Sequence, residues 1–348
     1  MGRIIVSENM QKEAECMWNS VQCAVQGRGH IKSDIPCQDK TFHVHANGVD
    51  VIALADGAGS ARLSHYGAEF VTKQICELLG KQFDIYYGES DGVTIKRVII
   101  GCLMEGLEKL AMELECEMKD LSSTLLVAAV HNDKYIVIHI GDGVIGYVKN
   151  DELKIASHPE NGEFVNTTVF VTSKDALPTM KLIKGKLEGI TGFALMSDGT
   201  ETSLYNKKEK SLASGLKKIM DLSQYMDRVC LQNEIERSFE KVIKNATMDD
   251  CSLILLIEEN YNFPGYNQLT LEEKRQLFHL KESVNYRRRL KRYDEILKYA
   301  CLPRTVSQIS KRLYLKKKHC YKHIDFLISK NLLVTKNGLI WTSIIMDK

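Results

Sequence analysis

The sequence predicts an α+β protein: short antiparallel strands flanked by helices, followed by a small basic helical module with a hairpin. Three observations carry this. Between residues 123 and 156, apolar runs of strand length alternate with turn residues such as Asn132-Asp133 and Asn150-Asp151, the mark of an antiparallel meander. Two longer stretches, near 64–79 and 94–118, keep helical spacing of apolar residues. Charge divides sharply: residues 1–259 hold 28 Lys and Arg against 38 Asp and Glu, and residues 260–348 hold 19 against 7. That split predicts a part at 1–259 and a module at 291–348 with different partners, joined by a linker or connecting helix at 260–290.

The elements follow in order. Val21–Gln26 reads as a strand, and Gly27-Arg28-Gly29-His30 as a glycine-rich loop running to Gln38-Asp39-Lys40. Phe42-His43-Val44-His45 alternates ahead of Asn47-Gly48, a hairpin signal. The returning strand ends abruptly in Ala55-Asp56-Gly57-Ala58-Gly59-Ser60. Gly57 and Gly59 let a ligand approach the backbone there, and a carboxylate beside them suits a hard cation or serves as a simple turn residue. Phe193–Ser197 repeats the pattern into Asp198-Gly199, and a helical region near 209–246 leads to Asp249-Asp250 and the strand 251–257.

Acids thus recur at strand ends: Asp39, Asp56, Asp142, Asp198 and Asp250. Strands sharing a sheet would gather these carboxylates along one edge. Like charges brought together repel, and a divalent metal relieves them. Oxygen-rich sites favour Mg²⁺ or Mn²⁺ over zinc. Asp142, within Gly-Asp-Gly, reads first as a turn residue.

No apolar run approaches the roughly 18 residues of a membrane span. The first residues lack a signal-peptide core, and Val6 breaks a myristoylation pattern. Ten scattered Cys without a CxxC pair read as reduced thiols, so a cytoplasmic setting is expected.

The ordered set Gln38-Asp39, Asp56-Gly57-Ala58-Gly59-Ser60, Ser122-Ser123-Thr124, Gly141-Asp142, Ser197-Asp198-Gly199 and Asp249-Asp250-Cys251-Ser252 resembles the PP2C (PPM-type) metal-dependent serine/threonine phosphatases, in their bacterial form, over about residues 20–258. The resemblance implies a sandwich of two antiparallel sheets flanked by helices, with two Mn²⁺ or Mg²⁺ ions at one end. It implies Asp56 and Asp198 as the catalytic pair. It also implies metal ligation by Asp39, Asp56, the Gly57 carbonyl, Asp198 and Asp250, with a third-metal position near Asp120. The implied chemistry is hydrolysis of phosphoserine or phosphothreonine by a metal-activated hydroxide, opposing a cognate kinase. Three departures stand out. Gln38 replaces an acid, Ala58 replaces a proton-donating His of the animal enzymes, and the phosphate-binding Arg is missing from its place. Arg28 or Lys32 would have to substitute. These departures motivate a contrasting expectation: a degenerate phosphatase-fold scaffold or DNA-binding regulator that senses phosphorylated partners without turnover.

The tail reads as three helices and a hairpin. Tyr293–Tyr299 begins it, Thr305 caps the next helix, Lys316-Lys317-Lys318 opens the third, and Asn337-Gly338 turns the hairpin. This pattern resembles a winged helix-turn-helix module, with a nucleic acid or a protein as the expected partner of the three lysines.

Overall fold

The computed structural model describes residues 18–159, 168–223, 228–258, 266, 269–283, 285–330 and 332–342. The first 17 residues and Asn262–Gly265, on which part of the sequence reading falls, lie outside this set, as does the side chain of Cys230.

Two five-stranded antiparallel sheets face each other. One runs in the order β1 (Trp18–Val25), β12 (Cys251–Glu258), β9 (Ile190–Met196), β6 (Val144–Lys149), β7 (Glu152–Ser157). The other runs β2 (Lys40–Ala46), β3 (Val49–Ala55), β4 (Leu125–His131), β5 (Lys134–Ile140), β8 (Lys181–Lys186). Ile52, Leu54, Leu126, Phe193, Leu195 and Ile254 fill the space between them.

Each sheet is also covered on its outer face. α2 (Ser64–Gly88) and α3 (Gly92–Glu113) lie on the second sheet, where Val71, Ile75, Leu79 and Leu103 meet Val51, Ala53 and Val127. On the first sheet, α6 (Ser214–Ser223), α7 (Arg228–Ser238) and a π-helical turn at Phe239–Ile243 bring Leu216, Leu231 and Phe239 against Leu253 and Leu255. Strands caught between layers bury both faces, so β3 reads Val-Asp-Val-Ile-Ala-Leu-Ala without polar alternation. Minor elements complete this part: α1 (Arg28–Ser33), α4 (Ala176–Thr179), α5 (Glu201–Leu204), α8 (Lys244–Ala246) and the small hairpin β10 (Tyr205–Asn206) and β11 (Ser211–Leu212).

Several expectations change in detail. The meander is divided: β4 and β5 belong to one sheet and β6 and β7 to the other. The crossing occurs at Gly141-Asp142-Gly143, where Gly141 takes φ +113, a conformation that side chains disfavour. The first long helix extends past residue 79 to Gly88, with non-helical backbone at Gln82, and the second stops at Glu113.

The C-terminal part has its own core. α9 (Leu271–Leu277), α10 (Tyr286–Tyr299), α11 (Val306–Arg312), α12 (Lys317–Ile328) and the hairpin β13 (Leu333–Lys336) and β14 (Leu339–Thr342) surround Tyr293, Ile296, Ile309, Ile324 and Leu327. The segment expected as a linker does more than connect. Tyr266, Phe278 and Leu280 are buried in this core, and α10 begins at Tyr286, seven residues ahead of the expected helix start. Leu302 packs onto the core beneath α6 and α7, so the two parts touch.

Candidate active site

Antiparallel pairing explains how distant acids meet. β3, β5 and β9 end at one edge of the sandwich, and β2, β6 and β12 begin there. Asp39, Asp56, Asp142, Asp198 and the pair Asp249-Asp250 therefore share that edge. They feel one another. Burial first, then the charges of Asp39 and Asp198, pushes Asp56 well above the usual carboxylate range. Burial pushes Asp39 up to about 7, with Asp250 and Asp198 adding to it against the hydroxyls of Ser252 and Ser197. Asp198 is raised by burial and then by the charge of Asp142.

A cation would suit this edge. Asp39 is 1% exposed, and its carboxylate oxygens meet only the hydroxyls of Ser252 and Ser197, outside good hydrogen-bond geometry. Asp198 Oδ1 and Gln38 Oε1 likewise lack a well-formed hydrogen bond. Buried acceptors left unsatisfied are expensive, and mutually repelling ones more so. Among the described residues no three His, Cys, Asp or Glu side chains already form a closed coordination set. Cations that keep waters and accept backbone carbonyls do not need one.

The backbone of the opening turn is held firmly. Asp56 accepts Thr124 N–H at its carbonyl, and its own N–H meets Thr124 Oγ1 at 2.9 Å. Gly57 donates to the Gln38 carbonyl and bridges Ser123. Gln38 is buried and donates from Nε2 to Ser64 Oγ at 2.7 Å, bracing the start of β2 against α2. The neutral amide thus serves as a structural strut where the family resemblance would place an acid.

The two neighbouring acids at 249–250 have opposite environments. Asp250 is buried, and both of its oxygens are engaged by main-chain donors: Gly27 N–H on Oδ1 and Gln38 N–H on Oδ2, each at 2.6 Å. His30 Nδ1 lies 2.9 Å from Oδ1 as well. The carboxylate also acts as a clamp, tying together three chain segments. Asp249 is 53% exposed at its side chain, and its charge acts on both Asp56 and Asp198.

The Gly27-Arg28-Gly29-His30 segment, expected as a loop, forms the start of the short helix α1 and embraces this acid pair. A side chain on Gly27 would strike the Asp249 backbone at 2.3 Å. Gly29 N–H donates to the Met248 carbonyl, and Arg28 Nε donates to the Thr247 carbonyl at 3.1 Å. On the other side, a side chain on Gly199 would meet the Asp250 carbonyl at 1.8 Å. The glycines serve close packing around the 247–250 loop, a contact between chain segments about 220 residues apart that local sequence does not announce.

The remaining expected residues fall as follows. Lys32 is exposed on α1. Asp120 closes a capping box with Glu117, its Oδ2 accepting Glu117 N–H at 3.1 Å, so its carboxylate serves a helix start. Asp142 Oδ2 accepts from Thr168 Oγ1 at 2.6 Å, and its charge acts on Asp198. Sequence reading passed over His139. It is buried, contacts Ser157 Oγ at 2.6 Å and the Gly141 carbonyl at 2.9 Å, and is held down to about 3 mainly by burial. As a neutral imidazole it supports the Gly141-Asp142 turn from beneath. Its signal was faint: one polar residue inside an otherwise apolar strand.

Comparison with known proteins adds independent information. A family model described as protein phosphatase 2C matches residues 26–242. Serine/threonine-protein phosphatase 3 of Escherichia coli (strain K12) is 25% identical over 204 residues, covering 56% of this chain and 78% of that protein. The solved structure of a serine/threonine phosphatase from S. agalactiae is 16% identical, with a TM-score of 0.50, and covers 70% of this chain and all of that one (100%). A crystal structure of a bacterial serine phosphatase variant is 14% identical with a TM-score of 0.50, covering 70% of this chain and 99% of that one. At these identities the two structures speak to the fold alone.

Proposed function

This chain belongs to the protein phosphatase 2C family, and from that premise we propose how its own residues carry out metal-dependent hydrolysis of phosphoserine and phosphothreonine in proteins. The observation that carries the reading is the set of mutually repelling carboxylates Asp39, Asp56 and Asp198 at one sandwich edge, with Asp39 fully buried. Asp39, Asp56, Asp198 and the Gly57 carbonyl would hold the Mn²⁺ or Mg²⁺ ions. Asp249, whose side chain is half exposed and whose Oδ1 accepts the Asp250 N–H at 2.8 Å, joins this set beside Asp250, whose two oxygens each accept one backbone amide and keep further lone pairs. When bound, the ions supply charge neutralisation for the phosphoryl oxygens and a low-pKa water as nucleophile.

The chain's contribution is positioning. Asp250 fixes Gly27 and Gln38, and so aligns α1 and the Asp39 segment on the acid loop. Thr124 fixes the carbonyl and N–H of Asp56, aiming its carboxylate. Arg28 and Lys32 are both exposed on α1; Arg28 is tethered to the Thr247 carbonyl beside the acid pair, which supports a phosphate-contacting role for it over Lys32. Ala58 supplies no proton, so protonation of the leaving hydroxyl falls to another group.

The natural substrate is a phosphoprotein, and a cognate serine/threonine kinase or its target is the partner this activity calls for. A cytoplasmic setting is supported by thiols such as Cys23, Cys76, Cys251 and Cys320, which are buried and not in disulfides. No helix among those residues is long and apolar enough to cross a membrane. The deciding experiment is turnover of a phosphothreonine peptide with and without Mn²⁺. Metal-dependent release of phosphate, abolished in Asp56→Asn and Asp198→Asn, is expected. Full activity in either variant would overturn the site assignment, and peptide binding without turnover would favour a sensor.

A further inference from the structure

We propose that the C-terminal module binds duplex DNA, gripping it with the first half of α12 and the turn that precedes it. This goes beyond the phosphatase activity and does not depend on it.

α11 and α12 form a helix-turn-helix pair. Thr305 caps α11 in a capping box with Gln308, and Ser310 Oγ donates to the Leu315 carbonyl at 2.6 Å, closing the turn. Cys320, Ile324 and Leu327 bury one face of α12 in the module's core. The opposite face is thereby set to solvent. Lys317, Lys318, Tyr321 and Lys322 form an exposed stripe at spacings of one, four and five residues. The end of α11 and the turn that follows add exposed Lys311, Arg312 and Lys316, with Tyr314 94% exposed among them.

These cations have little to neutralise them. Among the described residues of the module, the ion pairs Lys274–Asp294 and Arg275–Glu272 lie on α9 and α10 instead. Asp325 is the one acid on α12, and it sits in the helix's second half. α10 extends the basic field. His323 on α12 is lowered by burial, then by the charges of Arg292, Arg289 and His319, which brings the arginines of α10 to the side of α12. Beyond the helix pair, β13 and β14 form a hairpin turning at Asn337-Gly338, in the position of a wing.

The chemistry favours a phosphate backbone over other polyanions. A protein-docking patch usually offers a buried apolar anchor, and a membrane-binding helix offers large aliphatic residues. On α12 and its turn the exposed large apolar residues are two tyrosines, which carry a hydroxyl and stand among lysines. A helix whose exposed N-terminal half is cationic, beside a hairpin, is the arrangement that enters a major groove with phosphates on either side. Such contacts rely on charge and shape more than on base edges, so weak sequence preference is expected.

The test uses the full chain and a fluorescein-labelled, mixed-sequence duplex of roughly 30 base pairs, followed by anisotropy from about 50 to about 200 mM KCl. Neutralising some five phosphates gives a log–log salt slope of about −4 to −5. The variant Lys317→Glu/Lys318→Glu/Lys322→Glu should lose at least about tenfold in affinity. Its melting temperature and its Mn²⁺-dependent hydrolysis of a phosphothreonine peptide should not change. Lys317→Gln/Lys318→Gln, gentler on the helix, should weaken binding in the same direction. The proposal is overturned if the duplex does not bind at the lowest salt or if the charge-reversed variant binds like the wild type. Equal competition by polyglutamate or by phosphatidylserine vesicles would also overturn it, pointing to an acidic protein or a membrane instead.

Discussion

The acidic edge of the sandwich and the basic face of the C-terminal module both gather like charges, but in opposite surroundings. Asp39 and Asp198 hold carboxylate oxygens inside the protein, where isolated charge is costly, so near neutral pH a bound proton or a counter-ion relieves them. The lysines of α12 stand in water, where repulsion is screened and costs little. The first region is therefore chemically committed before any substrate arrives. The second is free to exchange partners with salt, and its occupant is a matter of affinity.

Perturbing the two regions should give effects of very different size. Asp56→Asn removes a carboxylate from the centre of the acid set and should lower kcat/KM by about 10³-fold or more. Peptide turnover with a Mn²⁺ titration checks this, and a loss recovered by excess metal would assign the defect to affinity alone. Next come the neighbours Asp249 and Asp250. Asp250→Ala strips two buried main-chain N–H groups of their acceptor and should cost about 3 kcal/mol of stability, read by denaturant unfolding. Asp249→Ala should leave unfolding nearly unchanged and weaken Mn²⁺ binding by about 10- to 100-fold, read by calorimetry. The reverse pattern would place the main ligand role on Asp250.

A smaller effect separates the regions by pH. Asp39 is raised to about 7 in the folded, metal-free chain, above its unfolded value near 4. The folded state then holds a proton that the unfolded state has released, so the contribution is fully present below about pH 4 and lost as pH rises through about 7. The melting temperature of metal-free protein should fall across that window, and Mn²⁺ should restore it. A metal-free melting temperature that climbs from pH 5 to pH 7.5 would contradict the burial of an unsatisfied acid. Least of all, Leu302→Ala should lower stability by about 1 kcal/mol, since its side chain is only partly buried against the helices of the catalytic part.

The same contrast explains what could be read from the chain beforehand. Strand-end acids are legible because apolar runs stop abruptly at Asp56 and Asp198, and the paired strands need only antiparallel order to collect them. The tail's helices are legible from Thr305 and the spacing of Ile324 and Leu327. Asp249 and Asp250 could not be told apart, because adjacent identical residues differ only in which distant partners they face. The donors on Asp250 come from Gly27 and Gln38, over 200 residues earlier. The helical start at Arg28 was hidden for a related reason: its glycines answer to the backbone of Asp249 and Met248, and a glycine-rich run looks like a loop when its neighbours are unseen.

One segment joins the two regions physically. Leu302, Pro303 and Arg304 line an apolar cleft of about 350 Å³ with Leu231, Ile235, Phe239 and Ile243. The main chain of Arg304 also exchanges both of its hydrogen bonds with Ile340, on the far strand of the hairpin. The hairpin's edge and a wall of the catalytic part are thus a single three-residue piece. Cutting the chain after residue 259 would not release a finished enzyme but one with an unroofed apolar socket, and the two parts inherit a common foundation.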